Sequence, residues 1–390
     1  MTASAAHPTI VDGAPSSVDL REALAGRRVV LCLGSGGVGK TTTSAALALA
    51  LAGSGERVAV LTIDPARRLA DALGLAGRLS NEPVRVATPG EGEVWAAMLD
   101  PAETFRLIVE TEAESQEQAD RILANRLFVN LTTTLSGTNE YMAAERLHQL
   151  NGDGRFDRVI VDTPPSHHVM DFLDSPARLT RFVDHRLYRS VLAPRRGLLR
   201  PLNAGAQAVM RMLGRLVGTS LVEDVVTFFA DLEGMDAGFR RRAAELDGLL
   251  AGPQTAYLLV TTPRSDRLAE ATWILDNLER RGRELDGLII NRVMPFGPHA
   301  PAGAPTGAVT DDAPADAAAA IHADEAPADA APLVENLRQL ESLARQEEAL
   351  MEPLRDRVVG DRRGVPVIKI GEQLLPVRDL KGLAAIAASL

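Results

Sequence analysis

Residues 34–42 of the chain read Gly-Ser-Gly-Gly-Val-Gly-Lys-Thr-Thr. Residues 34–41 match the pattern G-x-x-x-x-G-K-[ST], and they lie between a strand-like apolar run and an apolar helical pattern, which is the context that the motif requires. Glycines let the backbone wrap around phosphate oxygens, and the amide groups of the loop and of the helix N-terminus then point at the anion. The sequence therefore predicts a P-loop that binds nucleotide phosphates through Gly34, Ser35, Gly36, Gly37, Val38, Gly39, Lys40, Thr41 and Thr42.

Three side chains in and near this loop have predicted roles in the chemistry of ATP and Mg²⁺. Lys40 is expected to reach the β- and γ-phosphates, and the Thr41 hydroxyl is expected to bind Mg²⁺. The apolar run 159–161 ends at Asp162, which is the form of a Walker B segment. Its carboxylate is predicted to hold Mg²⁺ through water.

A second carboxylate, Asp64, follows the apolar run 61–63 and precedes Pro65. One interpretation is catalytic, because a carboxylate at this place can orient the water that attacks the γ-phosphate. The other interpretation is structural, because Asp before Pro is a good start signal for a helix. The residues alone leave both interpretations open.

Apolar strand-like runs alternate with helical patterns along the chain, which predicts an α/β fold with a doubly wound, mainly parallel sheet. Ligands in such sheets bind at the carboxyl ends of the strands, where the motifs above all lie. The predicted strands are Arg28–Leu33, Val58–Ile63, Val94–Leu99, Arg158–Val161, Ala256–Val260, Gly287–Ile290 and Val365–Ile370.

Two stretches interrupt the alternation and set the predicted domain boundaries. Residues 171–251 show helical periodicities and no convincing strand, which predicts a helical subdomain inserted into the nucleotide-binding domain. The acidic, Ala- and Pro-rich stretch 301–332 is predicted to be a disordered loop. The predicted organisation is a disordered tail over 1–26, the first part of the nucleotide-binding domain over 27–170, the insert over 171–251, and the second part over 252–390.

The composition excludes several classes of protein. The chain has 390 residues and one cysteine, Cys32, so a disulfide framework is excluded and the cytoplasm is the expected compartment. The net charge of −10 argues against general nucleic-acid binding. No uncharged apolar run approaches the ~20 residues needed to span a bilayer, which leaves peripheral contact with a membrane as an alternative.

The predicted insert contains a basic segment. Residues 176–215 hold nine arginines and one acid, Asp184, interleaved with apolar stretches. Such a surface suits an anionic membrane face, an acidic partner or a hydrophobic protein client. The alternative is an ordinary subdomain whose apolar faces pack inward and whose arginines are solvated.

Taken together, these segments resemble the deviant Walker A ATPases, and within them the ArsA/Get3 family of anion-pump and tail-anchored-protein-targeting ATPases. Residues 64–69, Asp-Pro-Ala-Arg-Arg-Leu, resemble the family's switch I, which implies that Asp64 positions the attacking water. Residues 162–168, Asp-Thr-Pro-Pro-Ser-His-His, resemble its switch II, D-T-A-P-T-G-H, with departures at 164, 166 and 167. Residues 136–140 are similar to its P-G-x-x-E segment at the dimer face.

The resemblance also implies a role for Asn291, which ends the run 288–290 and looks like the family's adenine-reading Asn. The alternative for this residue is a turn at a strand end. The family's signature Lys is Ser35 in this chain, so the charge that the family supplies across its dimer is missing. The expected assembly is therefore a homodimer or a heterodimer with a paralogous ATPase that carries the Lys.

The leading functional interpretation is an ATP-hydrolysing dimeric switch that binds and releases a protein or membrane partner. One alternative is the energising ATPase subunit of an anion efflux pump, although the family's arsenite-binding and zinc-binding cysteines are missing. Alternatives of another class are a positioning module of the ParA/MinD kind and a scaffold subunit that does not hydrolyse ATP.

Overall fold

The computed structural model describes residues 19–64, 68–75, 79–125, 138–184, 224, 227–228, 230–232, 234–294, 331–361, 364–373, 377 and 379–390. The strands are β1 Val29–Gly34, β2 Arg57–Thr62, β3 Val84–Ala87, β4 Glu93–Met98, β5 Arg158–Asp162, β6 Thr255–Thr261, β7 Gly287–Val293 and β8 Val367–Gly371. The described helices are α1 Leu20–Ala23, α2 Lys40–Ala52, α3 Arg68–Ala72, α4 Pro101–Glu112, α5 Gln116–Ala124, α6 Thr138–Gly152, α7 Ser166–Asp184, α8 Asp236–Ala251, α9 Ser265–Arg280, α10 Ala331–Asp361 and α11 Leu380–Ala387.

The strands form one sheet in the order β3-β4-β2-β5-β1-β6-β7-β8. Every neighbouring pair is parallel except β3 and β4, which are antiparallel. The chain leaves β1 toward β2 on one side, whereas β6 continues the sheet on the other side of β1. This divergence opens a crevice at the carboxyl end of β1, and it confirms the predicted doubly wound, mainly parallel α/β fold.

Helices cover both faces of the sheet because alternate side chains of each strand point to opposite faces. In β1, Val29, Leu31 and Leu33 belong to one core cluster, whereas Val30 and Cys32 belong to the other. The first cluster is formed with α4 to α10, and the second with α1, α2, α3 and α11. The central strands are therefore buried on both sides, as a parallel sheet requires.

The edge strand β3 was not predicted from the sequence. It has four residues, none of them fully buried, and it lies between Pro83 and Pro89 in a stretch rich in turn residues. Pairing with β4 holds it in place, with a register shift between Arg85 and Ala87. A strand that is held mainly by its pairing partner has only a weak strand pattern in its own sequence.

The N-terminal boundary predicted at residue 26 is wrong for residues 19–26. Asp19 caps α1 by accepting a hydrogen bond from the Arg21 amide, and Leu20 and Leu24 are buried in the core. This turn therefore belongs to the domain. Residues 1–18 of the predicted tail lie outside the described residues.

The ends of the predicted insert also belong to the main core. Phe172 of α7 and Leu246 and Leu250 of α8 are fully buried in the cluster that contains the β1 side chains. Arg242 of α8 pairs with Glu112 at 2.8 Å and also with the buried Glu145. Both ends of the predicted insert 171–251 therefore pack on the core of the nucleotide-binding domain, whereas residues 185–223 lie outside the described part of the chain and the insert itself stays a prediction.

The predicted loop 301–332 overlaps the structure only at its end, because α10 already includes residues 331 and 332. Residues 295–330 are not described. The sequence did not predict α10, which contacts α9 and β7 and includes Pro353. Its Arg357 pairs with Asp276 and Glu279 of α9 at 2.6 and 2.9 Å, which ties it to the domain.

Leu246→Ala tests whether α8 is part of the nucleotide-domain core. Because Leu246 is fully buried, we expect the substitution to lower the free energy of unfolding by about 2–5 kcal/mol. Leu343→Ala is the matched control, since Leu343 of α10 is 46% exposed and its loss is expected to cost less than about 0.5 kcal/mol. The measurement is urea unfolding of the whole chain, and an unchanged main transition in Leu246→Ala would contradict this placement of α8.

Candidate nucleotide-binding site

The P-loop joins β1 to α2 and is shaped by close packing at two of its glycines. Gly34 ends β1 with a φ of 154°, and a Cβ there would lie 2.3 Å from the carbonyl oxygen of Val260. Gly39 has a φ of 95°, and a Cβ there would lie 2.2 Å from the side-chain nitrogen of Asn291. Real Cβ atoms do not approach other atoms so closely, so both positions require glycine.

Lys40 begins α2 and is only 7% exposed. Its ammonium donates hydrogen bonds to the carbonyl oxygens of Gly34 at 3.0 Å and Ser35 at 2.9 Å, so it bridges the base of the loop. Burial lowers the pKa of this ammonium, whereas the nearby carboxylate of Asp162 raises it. A buried cation with only carbonyl acceptors is stabilised further when an anion enters the loop.

Strand register brings the Asp162 carboxylate next to two hydroxyl groups. Asp162 of β5 lies opposite Cys32 of β1 on one side and Thr62 of β2 on the other. Its Oδ2 accepts hydrogen bonds from Thr41 Oγ1 at 2.7 Å and Thr62 Oγ1 at 3.1 Å. Burial raises the pKa of the Asp162 carboxyl, and the two donors and Lys40 oppose that effect.

This donor set fits a hard cation. A carboxylate and neighbouring hydroxyls present only oxygen atoms, and Mg²⁺ prefers oxygen ligands. The residues predicted to hold Mg²⁺, Thr41 and Asp162, are therefore brought together by the fold. Thr62 was missed by the sequence reading. The sequence feature that could have identified Thr62 is its position two residues before Asp64, at the end of the strand that lies next to β5.

Asp64 follows β2 by two residues and lines the same cleft. Its amide donates to Thr62 Oγ1 at 3.3 Å, and its carboxylate lies 3.6 Å from the Arg68 guanidinium in the first turn of α3. The side chain is 27% exposed, so a water molecule can reach it. The helix-cap interpretation involves residues 65–67, which lie outside the described residues together with the switch I residue Arg67.

A cleft of 440 Å³ runs along these groups. It contains the predicted residues Gly36, Gly37, Gly39, Lys40, Thr41, Thr42, Asp64 and Asp162. It also contains Arg68, Thr163 and Pro165, which lie in the segments that resemble switch I and switch II, and Asp71, Ala72, Arg292 and Val377, which the sequence had not assigned to a nucleotide site. Arg292 follows Asn291 directly, and its proximity to the P-loop depends on the pairing of β7 with β6 and β8.

Four predicted residues lie behind the lining of the cleft. Gly34, Ser35 and Val38 face the packed base of the P-loop, and the Ser35 hydroxyl is buried without a hydrogen-bond partner among the described residues. Asn291 is 8% exposed, and its Nδ2 donates to the carbonyl oxygen of Val38 at 2.8 Å. The structure therefore gives Asn291 a role in supporting the P-loop, and its adenine-reading role stays a prediction.

The segment after Asp162 connects the cleft to the helices. Thr163 Oγ1 donates to the carbonyl oxygen of Cys32 at 2.7 Å, which fixes the strand end against β1. Helix α7 starts at Ser166, whose hydroxyl lies 3.3 Å from Glu270 of α9. His168 Nδ1 lies 3.2 Å from Glu140 Oε1 of α6. The segment 162–168, which resembles switch II, therefore contacts the segment 136–140, which is similar to the family's P-G-x-x-E segment.

No helix in the described parts of the chain is both long enough and apolar enough to cross a membrane.

Sequence comparisons show where this site belongs. The family described as "Anion-transporting ATPase" matches residues 27–301. "ATPase GET3" of Malassezia globosa is 26% identical over 266 residues, which are 68% of this chain and 72% of the relative. "ATPase get3" of Schizosaccharomyces pombe is 27% identical over 263 residues, 67% of this chain and 72% of the relative.

A third relative carries a different name. "Arsenical pump-driving ATPase" of Acidiphilium multivorum is 28% identical over 257 residues, which are 62% of this chain and 41% of the relative. The family match covers more than half of the chain and includes the P-loop, Asp64, Asp162 and Asn291. The chain therefore belongs to the anion-transporting ATPase family, and it is a nucleotide-dependent P-loop ATPase of the ArsA/Get3 type.

Proposed function

We propose that this ATPase is a dimeric switch, which couples hydrolysis of Mg-ATP to the binding and release of a protein or membrane partner through the predicted helical insert, residues 171–251. The observation that carries the proposal is the path from Asp162 to that segment. Asp162 ends β5, α7 begins four residues later at Ser166, and α7 runs to Asp184. A shift at the cleft is therefore transmitted along α7 to the basic segment 176–215, whose first residues lie in that helix.

In this proposal the cleft holds the phosphates of ATP. The amide groups of the P-loop and the Lys40 ammonium bind the β- and γ-phosphates, and they do so with little reorganisation because the loop is fixed by Gly34 and Gly39. Thr41 and Asp162 would hold Mg²⁺ beside these phosphates. When bound, this ion neutralises charge on the phosphate oxygens.

Asp64 is the proposed water-orienting residue. Its carboxylate lines the cleft with Lys40 and Asp162 and is partly exposed, so it can accept a hydrogen bond from a water molecule. The oxygen of that water bonds to the γ-phosphorus as the bond from this phosphorus to the β–γ bridging oxygen breaks, so that ADP leaves and a proton of the water passes to an oxygen of the new phosphate. Lys40 stabilises the negative charge that remains on the phosphate oxygens.

Contacts around the start of α7 support the transmission step. Ser166 contacts Glu270 of α9, and His168 contacts Glu140 of α6. Phe172 and Val169 pack in the core between these helices and the sheet. Packed elements of this kind shift as units, which is how small changes at a nucleotide become large movements at a distance.

The assembly follows from the residue at position 35. Ser35 is 2% exposed and carries no charge, so the chain lacks a cation at the place where the family has its signature Lys. We propose a dimer in which a paralogous chain supplies that charge. A homodimer is the alternative, with slow hydrolysis.

The second candidate is the energising subunit of an anion pump, which one relative's name favours. The single cysteine weighs against thiol recognition of arsenite. Cys32 lies inside β1, it is fully buried, and burial raises the pKa of its thiol to about 12. The thiolate needed for metalloid binding is therefore suppressed.

Asp64→Asn tests the catalytic role. We expect the turnover number to fall by about 10²–10⁴-fold, because Asn keeps one acceptor oxygen but loses the negative charge and carries a donor group in place of the second oxygen. ATP affinity should stay within about threefold, since Asp64 lies beside the phosphates and not in the loop that binds them. The measurements are phosphate release and equilibrium binding of ATP.

Asp71→Asn is the comparison variant, because Asp71 of α3 is a second carboxylate in the wall of the same cleft. A fall in turnover that is equally large in Asp71→Asn would point to a general effect of negative charge and would contradict a specific role for Asp64. Full turnover in Asp64→Asn would show that hydrolysis does not use this residue.

Asp162→Asn tests the metal site. Removing the charged ligand is expected to raise the Mg²⁺ concentration for half-maximal hydrolysis by at least about tenfold, because Mg²⁺ binds carboxylates far better than amides. Binding of ADP without Mg²⁺ serves as the control and should change little. An unaltered Mg²⁺ titration would place the metal elsewhere.

The heterodimer predicts a rate that depends on the partner. The purified chain alone should hydrolyse ATP slowly, and addition of a paralog that carries Lys at the position of Ser35 should raise the rate by about 10³-fold or more, as a cation supplied in trans does in other P-loop enzymes. The check is a titration of the paralog at a constant concentration of this chain. A fast rate for the chain alone would exclude the need for such a partner.

A further inference from the structure

Arg292 has a backbone conformation that non-glycine residues rarely adopt. Its φ is 59°, and it is the sole non-glycine residue with positive φ within the described ranges. Such a conformation is strained, and it persists only where the surroundings impose it. Strained residues of this kind cluster at functional sites, which makes the surroundings of Arg292 informative.

The surroundings connect Arg292 to the P-loop. The register of β7 and β8 shifts between Asn291 and Val293, so Arg292 lies in an irregularity that turns its side chain out of the regular alternation. The Arg292 amide donates to Asn291 Oδ1 at 2.9 Å, whereas Asn291 Nδ2 donates to the carbonyl oxygen of Val38 at 2.8 Å. One buried side chain therefore fixes both the strained residue and the phosphate loop.

The side chain of Arg292 is exposed and lies where two clefts meet. It lines the cleft that contains Lys40, Thr41 and Asp162. It also lines a neighbouring cleft of 390 Å³, which shares Gly36 and Gly37 of the P-loop. Arg292 therefore lies beside Gly36 and Gly37 of the P-loop. Its strand β7 is on the β6 side of β1, whereas Asp64 and Arg68 follow β2 on the other side.

The charge of Arg292 is not compensated within the described structure. Arg264 and Arg267, the other arginines of the neighbouring cleft, each lie within 3.4 Å of the Asp266 carboxylate. Arg292 forms no ion pair with any described residue, although Glu347 and Glu372 line the same cleft. Glu347 instead accepts a hydrogen bond from the Met294 amide at 2.9 Å.

We propose that Arg292 is a further nucleotide-binding residue, whose guanidinium contacts the phosphate chain of a nucleoside di- or triphosphate. The inference rests on the proposed placement of the phosphates in the P-loop cleft. The positive charge of the guanidinium attracts phosphate oxygens, and the conformation of the backbone that carries it is set before the ligand arrives, which lowers the entropy lost on binding. The strained backbone is then the cost of holding this charge at the loop.

Arg292→Gly separates binding from structure, because glycine adopts a φ of 59° without strain. We expect the melting temperature of the free protein to stay equal or rise, while the dissociation constants of Mg-ATP and Mg-ADP increase by about tenfold or more, as the loss of a charge-assisted hydrogen bond implies. Arg292→Lys keeps the charge and the strain, and because Lys also binds phosphate as a point charge, its affinity should remain within about threefold of the parent.

Arg85→Ala is the control for loss of one positive charge, since Arg85 lies on the edge strand β3 at the far end of the sheet and is 56% exposed. Binding is measured by isothermal titration of the full chain with Mg-ATP and with Mg-ADP. Parental affinity in Arg292→Gly would overturn the proposal. So would an Arg292→Lys protein as weak as Arg292→Gly, because that result would assign the effect to the shape of the side chain. If the parent itself bound no ATP, the proposed function would fail, and the result would differ from both of these.

Discussion

The carboxylate of Asp162 is the group on which the rest of the site depends. An ionisable side chain with 1% exposure is tolerated only where polar partners are fixed around it. Those partners come from two places in the chain: Lys40 and Thr41 at the start of α2, and Thr62 at the end of β2. These partners meet at Asp162 only because β5 lies between β1 and β2 in the observed register. The strand order therefore determines the site.

The same constraint explains which parts of the structure the sequence predicts well. The P-loop, Asp64 and Asp162 each end an apolar run, and parallel strands bring their carboxyl ends to one edge. The seven strands predicted from apolar runs are all present, with ends that differ by no more than a few residues. The apolar sequence of these strands matches what the fold requires of them, because a strand buried on both faces must be apolar throughout.

Other features depend on contacts that are distant in the chain, and local patterns do not reveal them. The turn at Leu20 is buried by the core around β1 and α2, although its neighbours before residue 19 resemble a polar tail. The ends of the predicted insert, α7 and α8, show the same periodicity whether they pack on each other or on the sheet. The position of Arg292 follows from an irregularity between β7 and β8, and a sequence motif of two residues cannot show it.

The low reactivity of Cys32 has a practical consequence for measurements of conformational change in this protein. It is the single cysteine of the chain, it is fully buried, and its thiol is held in the protonated form. The native protein is therefore nearly silent toward maleimides and spin labels under conditions that preserve the fold. Cysteines introduced on exposed positions of α7 and on the rigid sheet would carry probes without background. Distances between such probes would record directly how far a helix travels during one catalytic cycle.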